Sequence, residues 1–168
     1  GGDFIAEQVS IVLGSRYVLT FQEQEGDVFD AIRERIRTGK GRIRKMGAAY
    51  LAYALLDAIV DNYFVVLEDL DERIEQIQDA VLDARTSATL RSIHVMKREL
   101  IFLRKSVWPL RELMSEFRES ESPLIGDALG PYLRDVYEHT VQIIDTVESL
   151  RDLLNGALDV YVSTVGNR

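Results

Sequence analysis

PYLRDVYEHTVQIIDTVESLRDLLNGALDVYVSTVGNR, residues 131–168, is the stretch whose reading decides the fold. Pro131, following Gly130, suits the first turn of a helix, where a missing N–H costs no hydrogen bond. Beyond it, Ile143, Val147, Leu150, Leu154, Ala157 and Tyr161 recur at alternating steps of four and three. That is the 3.5-residue period of a helix built to pack lengthwise on other helices. Off this seam, Glu138, Asp145, Asp152 and Asp159 repeat every seven residues and form one acidic stripe. A helix through the whole stretch would be about 55 Å long at 1.5 Å per residue.

Working back along the chain, residues 87–118 repeat the pattern with Leu100, Leu103, Val107, Leu110, Met114 and Phe117. Pro109 falls inside this helix and is expected to kink it near Trp108. Residues 41–83 form another, with Leu67, Leu70, Ile74, Ile77 and Val81 on its seam. A link at residues 84–87 returns one helix along the other as an antiparallel hairpin. The two carry opposite charge. Residues 65–83 hold Glu68, Asp69, Asp71, Glu72, Glu75, Asp79 and Asp83 against Arg73 alone, whereas the following helix is rich in Arg and Lys. Solvated faces with incidental pairing account for most of these charges, since exposed ion pairs are each worth about 0–1 kcal/mol.

Near the N-terminus the period changes to two. Val9, Ile11 and Leu13 alternate, Gly14-Ser15 supplies a turn, and Tyr17, Leu19 and Phe21 alternate again, which reads as a β-hairpin. A lone hairpin is marginal in water, so its sheet is expected to continue on strands from elsewhere. A short helix over 28–37 follows, with Asp27 as N-cap and Thr38-Gly39 closing it. Residues 33–45 carry seven bases without interleaved aromatic residues, which suits docking to an acidic neighbour or plain solvation better than nucleic acid.

Bulk composition excludes several functions. The chain has 168 residues and net charge −8, without the basic footprint of a nucleic-acid binder. There is no cysteine, so thiolate metal sites and disulfides are out. His94 and His139 have no partner at metal-ligand spacing and read as satisfied surface or interface residues. The longest apolar run, 48–60, is interrupted by Asp57 and is too short to cross a membrane. No cysteine nucleophile, G-x-S-x-G, phosphate-cradling Gly loop or His–carboxylate pair at useful catalytic spacing is visible, so an enzyme is not expected.

Carboxylate oxygen is the remaining chemical resource, and it suits hard cations such as Mg²⁺. Asp57 and Asp61 lie four apart on one helix face amid apolar residues, which fits a metal site or the solvent stripe of an amphipathic helix. Asp135 and Asp159 would be roughly 36 Å apart along their helix, so each needs partners from another helix or subunit to hold an ion.

At these residues the chain resembles a known family. YALLDAIVDNYFVVLEDLDERIEQ, LRKSVWPLRELMSEF and the stretch 131–168 are similar, in that order, to the cytoplasmic part of CorA-family magnesium transporters. EQVSIVLGSRYVLTFQEQEGDVFDAIRERIR is similar to the last strands and following helix of that family's α/β domain. The resemblance implies a mainly α fold with a small N-terminal β-hairpin, in which the antiparallel helix pair packs beside a long C-terminal stalk helix. It divides the chain into a remnant of the α/β domain at 3–40, the two long helices at 41–119 and the stalk helix at 123–168. It implies a homopentamer at the cytoplasmic face of the cell membrane, gated by Mg²⁺, with Co²⁺ as a substitute, bound between protomers. Asp159 would belong to one regulatory site, Asp57 and Asp135 to a second, and Asp61 has an acidic counterpart there. The family's Gly-Met-Asn signature and both transmembrane helices would lie beyond Arg168. A zinc-transporting relative of the same superfamily and a soluble PhoU-like helical-bundle regulator are the competing readings.

Overall fold

The computed structural model describes residues 6–83 and 87–167, so the expected link at 84–87 lies almost wholly outside it. Two strands, β1 (Val9–Leu13) and β2 (Val18–Gln22), are followed by α1 (Asp30–Thr38), α2 (Gly47–Asp83), α3 (Ser87–Glu119), a 3₁₀ turn (Asp127–Leu129) and α4 (Gly130–Gly166). The fold is mainly helical with one two-stranded antiparallel sheet, as the sequence predicts. It divides into two compact units. Phe64–Pro109 and Val141–Arg168 form a bundle unit; Ile5–Tyr63 and Leu110–Thr140 form a hairpin unit.

In the bundle unit the heptad seams are the core. Leu67, Leu70, Ile74, Ile77 and Val81 of α2, Leu100, Leu103 and Val107 of α3, and Ile143, Val147, Leu150, Leu154 and Ala157 of α4 are all buried. The direction of α3 against α2 is read from its contacts: Arg73 meets Glu99, while Gln76, Ile77 and Ala80 lie beside Ala88, Thr89 and Ser92. This is the antiparallel hairpin. The acidic stripe Glu138, Asp145, Asp152 and Asp159 is exposed throughout. Pro109 sits within α3, and the division between the two units crosses α3 at that residue.

In the hairpin unit Phe29, Ile32, Ile43, Tyr50, Leu55 and Leu133 are core residues. The hairpin turns on a bond from the Gly14 N–H to the Tyr17 carbonyl, 2.8 Å, and pairs Leu13 with Val18 and Ile11 with Thr20. Residues directly opposite share a face. Val9, Ile11, Leu13 and Val18 therefore turn inward, and the second alternating triplet points the other way, leaving Tyr17 55% and Phe21 59% exposed.

Three local expectations need correction. Asp27 is not the N-cap of α1, which begins at Asp30. Its carboxylate accepts bonds from the Phe29 N–H (2.9 Å), Gln22 Nε2 (2.9 Å) and the Arg33 guanidinium. The Arg33 bond above all holds the Asp27 carboxyl well below the usual carboxylate range. The second helix begins at Gly47 rather than near residue 41, because Gly47 has φ +80°, a left-handed value that no right-handed helix can run through. Helix α2 also contains an 18-residue window of mean hydropathy 1.5, so it is long and apolar enough by composition to cross a membrane, contrary to the reading of residues 48–60. A third of that window is buried within the fold.

Candidate metal centre

Aromatic packing sets α2 beside α4 in the hairpin unit. The rings of Tyr50, Tyr53 and Tyr132 form a triangle with each pair of centroids 5.3 Å apart. Arg42 bonds the Tyr132 hydroxyl and lies over its ring, and Arg35 donates to the Tyr50 hydroxyl at 3.3 Å. Tyr53 meets Tyr132 and, further along both helices, Asp57 and Asp61 meet His139, so α2 and α4 run in the same direction; Arg118 of α3 lies over the Tyr137 ring at 4.4 Å.

Parallel helices keep their register, and the next turns bring polar groups together. Asp57 and Asp61 follow Tyr53 at successive steps of four on α2, while Asp135 and His139 stand four apart on α4. One ligand atom from each of Asp57, Asp61 and His139 lies within 4.8 Å of the others. Two ligands on one Mg²⁺ at about 2.1 Å are at most about 4.2 Å apart, so small side-chain rotations would close such a set. Asp57 and His139 are half-buried, whereas Asp61 and Asp135 are exposed.

The electrostatics suit a cation. Burial pushes the Asp57 carboxyl up from its ordinary value, the Asp61 charge pushes it further and His139 partly offsets both, with Asp135 adding to the rise. Tyr53 is pushed up to about 12, first by burial and then by Asp57. Like charges at a half-buried site raise the cost of ionisation, and a proton or a cation relieves that cost. Two carboxylates offer hard oxygen ligands; the imidazole adds a nitrogen that suits Co²⁺ or Zn²⁺ better than Mg²⁺.

Of the residues named from sequence, the structure thus gathers Asp57 and Asp61, with Asp135 close enough to act on Asp57's ionisation. Asp159 lies in the bundle unit, exposed, and joins no group of three potential ligands among the described residues. His139 is the residue that sequence reasoning missed. Its four-residue step from Asp135 was visible, but the parallel register that carries it to Asp57 was not.

A helical module with an acidic, histidine-containing cluster between two of its helices is the class these observations define. A family model, the CorA-like Mg²⁺ transporter protein, matches residues 2–168. The chain belongs to the CorA family of transporters. It is 51% identical over 163 residues to the cobalt/magnesium transport protein CorA of Thermotoga maritima, an alignment covering 97% of this chain and 46% of that protein. The complete structure of the CorA magnesium transporter from Methanocaldococcus jannaschii superposes with a TM-score of 0.79 at 23% identity, over 89% of this chain and 47% of that one. The soluble domain of CorA from the same organism gives 0.74 at 18% identity, over 94% of this chain and 68% of that domain. The chain spans about half the length of the curated relatives it matches. Family membership displaces the PhoU-like reading.

Proposed function

We propose that this chain is the cytoplasmic, Mg²⁺-sensing part of a homopentameric CorA-type channel or transporter, gated by divalent cations held between protomers. In this reading residues 3–40 belong to an α/β domain, 41–119 carry the paired long helices α2 and α3, and 123–168 carry the stalk helix leading toward the pore. Asp57 and Asp135, with Asp61, serve one regulatory site, to which His139 contributes a nitrogen. Asp159 serves another and takes its remaining ligands from a neighbouring protomer. The observation that carries the proposal is the grouping of Asp57, Asp61 and His139. The relative from Thermotoga maritima, which bears the name of a cobalt/magnesium transport protein, supports the choice of ions.

Weak sites suffice for such gating. A site at ten times its dissociation constant stabilises the bound state by about RT ln 11, or ~1.4 kcal/mol. Five equivalent sites would supply on the order of 7 kcal/mol, and about 5.5 kcal/mol moves a two-state equilibrium from 1:99 to 99:1.

Thermal unfolding of the chain during Mg²⁺ titration tests the site. Near saturation the melting temperature should rise by roughly 3–5 °C, the equivalent of ~1.4 kcal/mol for a chain of this size. Asp57→Asn should abolish the rise, and Asp159→Asn in the isolated chain should leave it intact. An unchanged response in Asp57→Asn would remove Asp57 from the site. His139 favours a second reading, a centre that prefers Co²⁺ or Zn²⁺ as in the zinc-transporting branch. There His139→Asn should weaken Co²⁺ about tenfold and leave Mg²⁺ unaffected, in line with the ligand preferences of the two ions.

A further inference from the structure

The opposite charges of α2 and α3 are not used to hold those two helices together. Among the described residues the ion pair joining them is Arg73 to Glu99 at 2.9 Å, the lone base of the acidic stretch with an acid of the basic helix. The rest of the charge is displayed outward. On α2, Val65, Glu68, Glu72, Glu75, Asp79 and Leu82 follow one another at steps of three and four, and all are exposed. They form a straight stripe opposite the buried seam. Its two ends are apolar, Val65 at 64% and Leu82 at 70% exposure, and its centre is four carboxylates that form no ion pair among the described residues.

Helix α3 carries the complement. With α4 it borders a groove of about 600 Å³, in which Ile101 and Trp108 are exposed between Lys97 and Arg104 on one side and Lys105 on the other, with Arg151 across on α4. Arg104 is spent on Glu148 at 2.9 Å, but Lys97 and Lys105 form no ion pair among the described residues. A carboxylate stripe with apolar ends and a cation-flanked groove with an apolar floor match in charge and in period.

We propose that the α2 stripe of one copy docks into the α3–α4 groove of the next copy of this chain. The proposal rests on the homo-oligomeric reading above and names the faces that would meet. Two different faces on one chain are what a ring requires, because a cyclic assembly beyond a dimer is built from heterologous contacts. Opposed potentials of this kind steer encounter and fix register, and like charges placed opposite one another suppress wrong pairings.

The chain contains no cysteine, which permits a direct test. Glu72→Cys and Lys105→Cys are prepared separately, mixed in equal amounts at low salt and millimolar concentration, and treated with a short bismaleimide. The expected product is a cross-linked species in the mixture that neither variant gives alone and that high salt suppresses. Reversing Glu72 and Glu75 to Lys should weaken self-association at least tenfold in sedimentation, and mixing with Lys97→Glu/Lys105→Glu chains should restore it. Cross-linking within a single variant would overturn the pairing of unlike faces. Self-association without the mixed product would overturn this interface and leave the oligomer standing on another. A chain that stays monomeric would overturn docking between copies while the Mg²⁺ titration above still reads the metal centre. Binding of duplex DNA in the groove, with no mixed product, would assign the cations to nucleic acid and also overturn the proposal.

Discussion

Two basic stretches in this chain look alike in composition and behave differently in the fold. In residues 33–45 the five arginines are spent internally. Arg33 pairs with Asp27 and Asp30, Arg37 with Glu34, and Arg35 and Arg42 reach tyrosine hydroxyls. Arg44 donates to the carbonyls of Ile36 (2.6 Å) and Arg37 (2.7 Å), occupying acceptors that the end of α1 leaves open. On α3, Lys97 and Lys105 stand over an apolar groove with no such partners among the described residues. A run of bases is therefore no function in itself. What separates the two stretches is whether the chain supplies the acceptors.

The largest expected effect tests the ion pair that, among the described residues, joins α2 to α3. Arg73→Ala leaves Glu99, whose side chain is 10% exposed, without its counter-charge, and should cost about 3 kcal/mol in urea unfolding. A loss below about 0.5 kcal/mol would place this pair with ordinary surface charges. Next comes Asp27→Ala, which removes the acceptor shared by Arg33, Phe29 and Gln22 and should cost about 2 kcal/mol at neutral pH. Because the folded pKa of Asp27 is depressed, its contribution is present above the unfolded value of 3.8 and is lost as pH falls through the lower folded value. The difference between variant and parent should therefore narrow in strong acid, and a pH-independent difference would contradict the assignment.

Asp57→Asn should act in the opposite direction. The folded pKa of Asp57 is raised, so its carboxyl favours the fold below 3.8, and that contribution is lost as pH rises through the folded value. Without divalent cation the variant should melt about 2 °C higher than the parent at neutral pH, with no gain below 3.8. A lower melting temperature at neutral pH would show that the charge at Asp57 is compensated. Smallest of all, Lys97→Ala and Lys105→Ala should each change the stability of the isolated chain by less than about 0.5 kcal/mol. A larger loss in equilibrium unfolding would make α3 resemble residues 33–45 and close the contrast.

The helices and their buried seams were legible because a 3.5-residue period leaves few ways to bury Leu70, Ile74, Leu150 and Leu154. Boundaries were less so. Residues 41–46 read as helix until Gly47 takes a left-handed φ. The hairpin was legible as two alternating runs, but which face each run presents depends on the Leu13–Val18 register, and the register depends on the turn. Asp57 and Asp61 were visible as a pair on one helix. His139 joins them only through the packing of α2 on α4, a relation that no local pattern encodes.

That relation has a kinetic consequence. Asp57 and His139 are far apart in sequence, with all of α3 between them, so their side chains meet only once α2 has packed on α4. Such a cluster can form only late on the folding route, where little of it is present at the barrier. A cation held there would slow escape from the native state and leave the rate of reaching it almost unchanged. Stopped-flow chevrons with and without Mg²⁺ should differ in the unfolding arm; a shift confined to the refolding arm would mean that the cluster forms early.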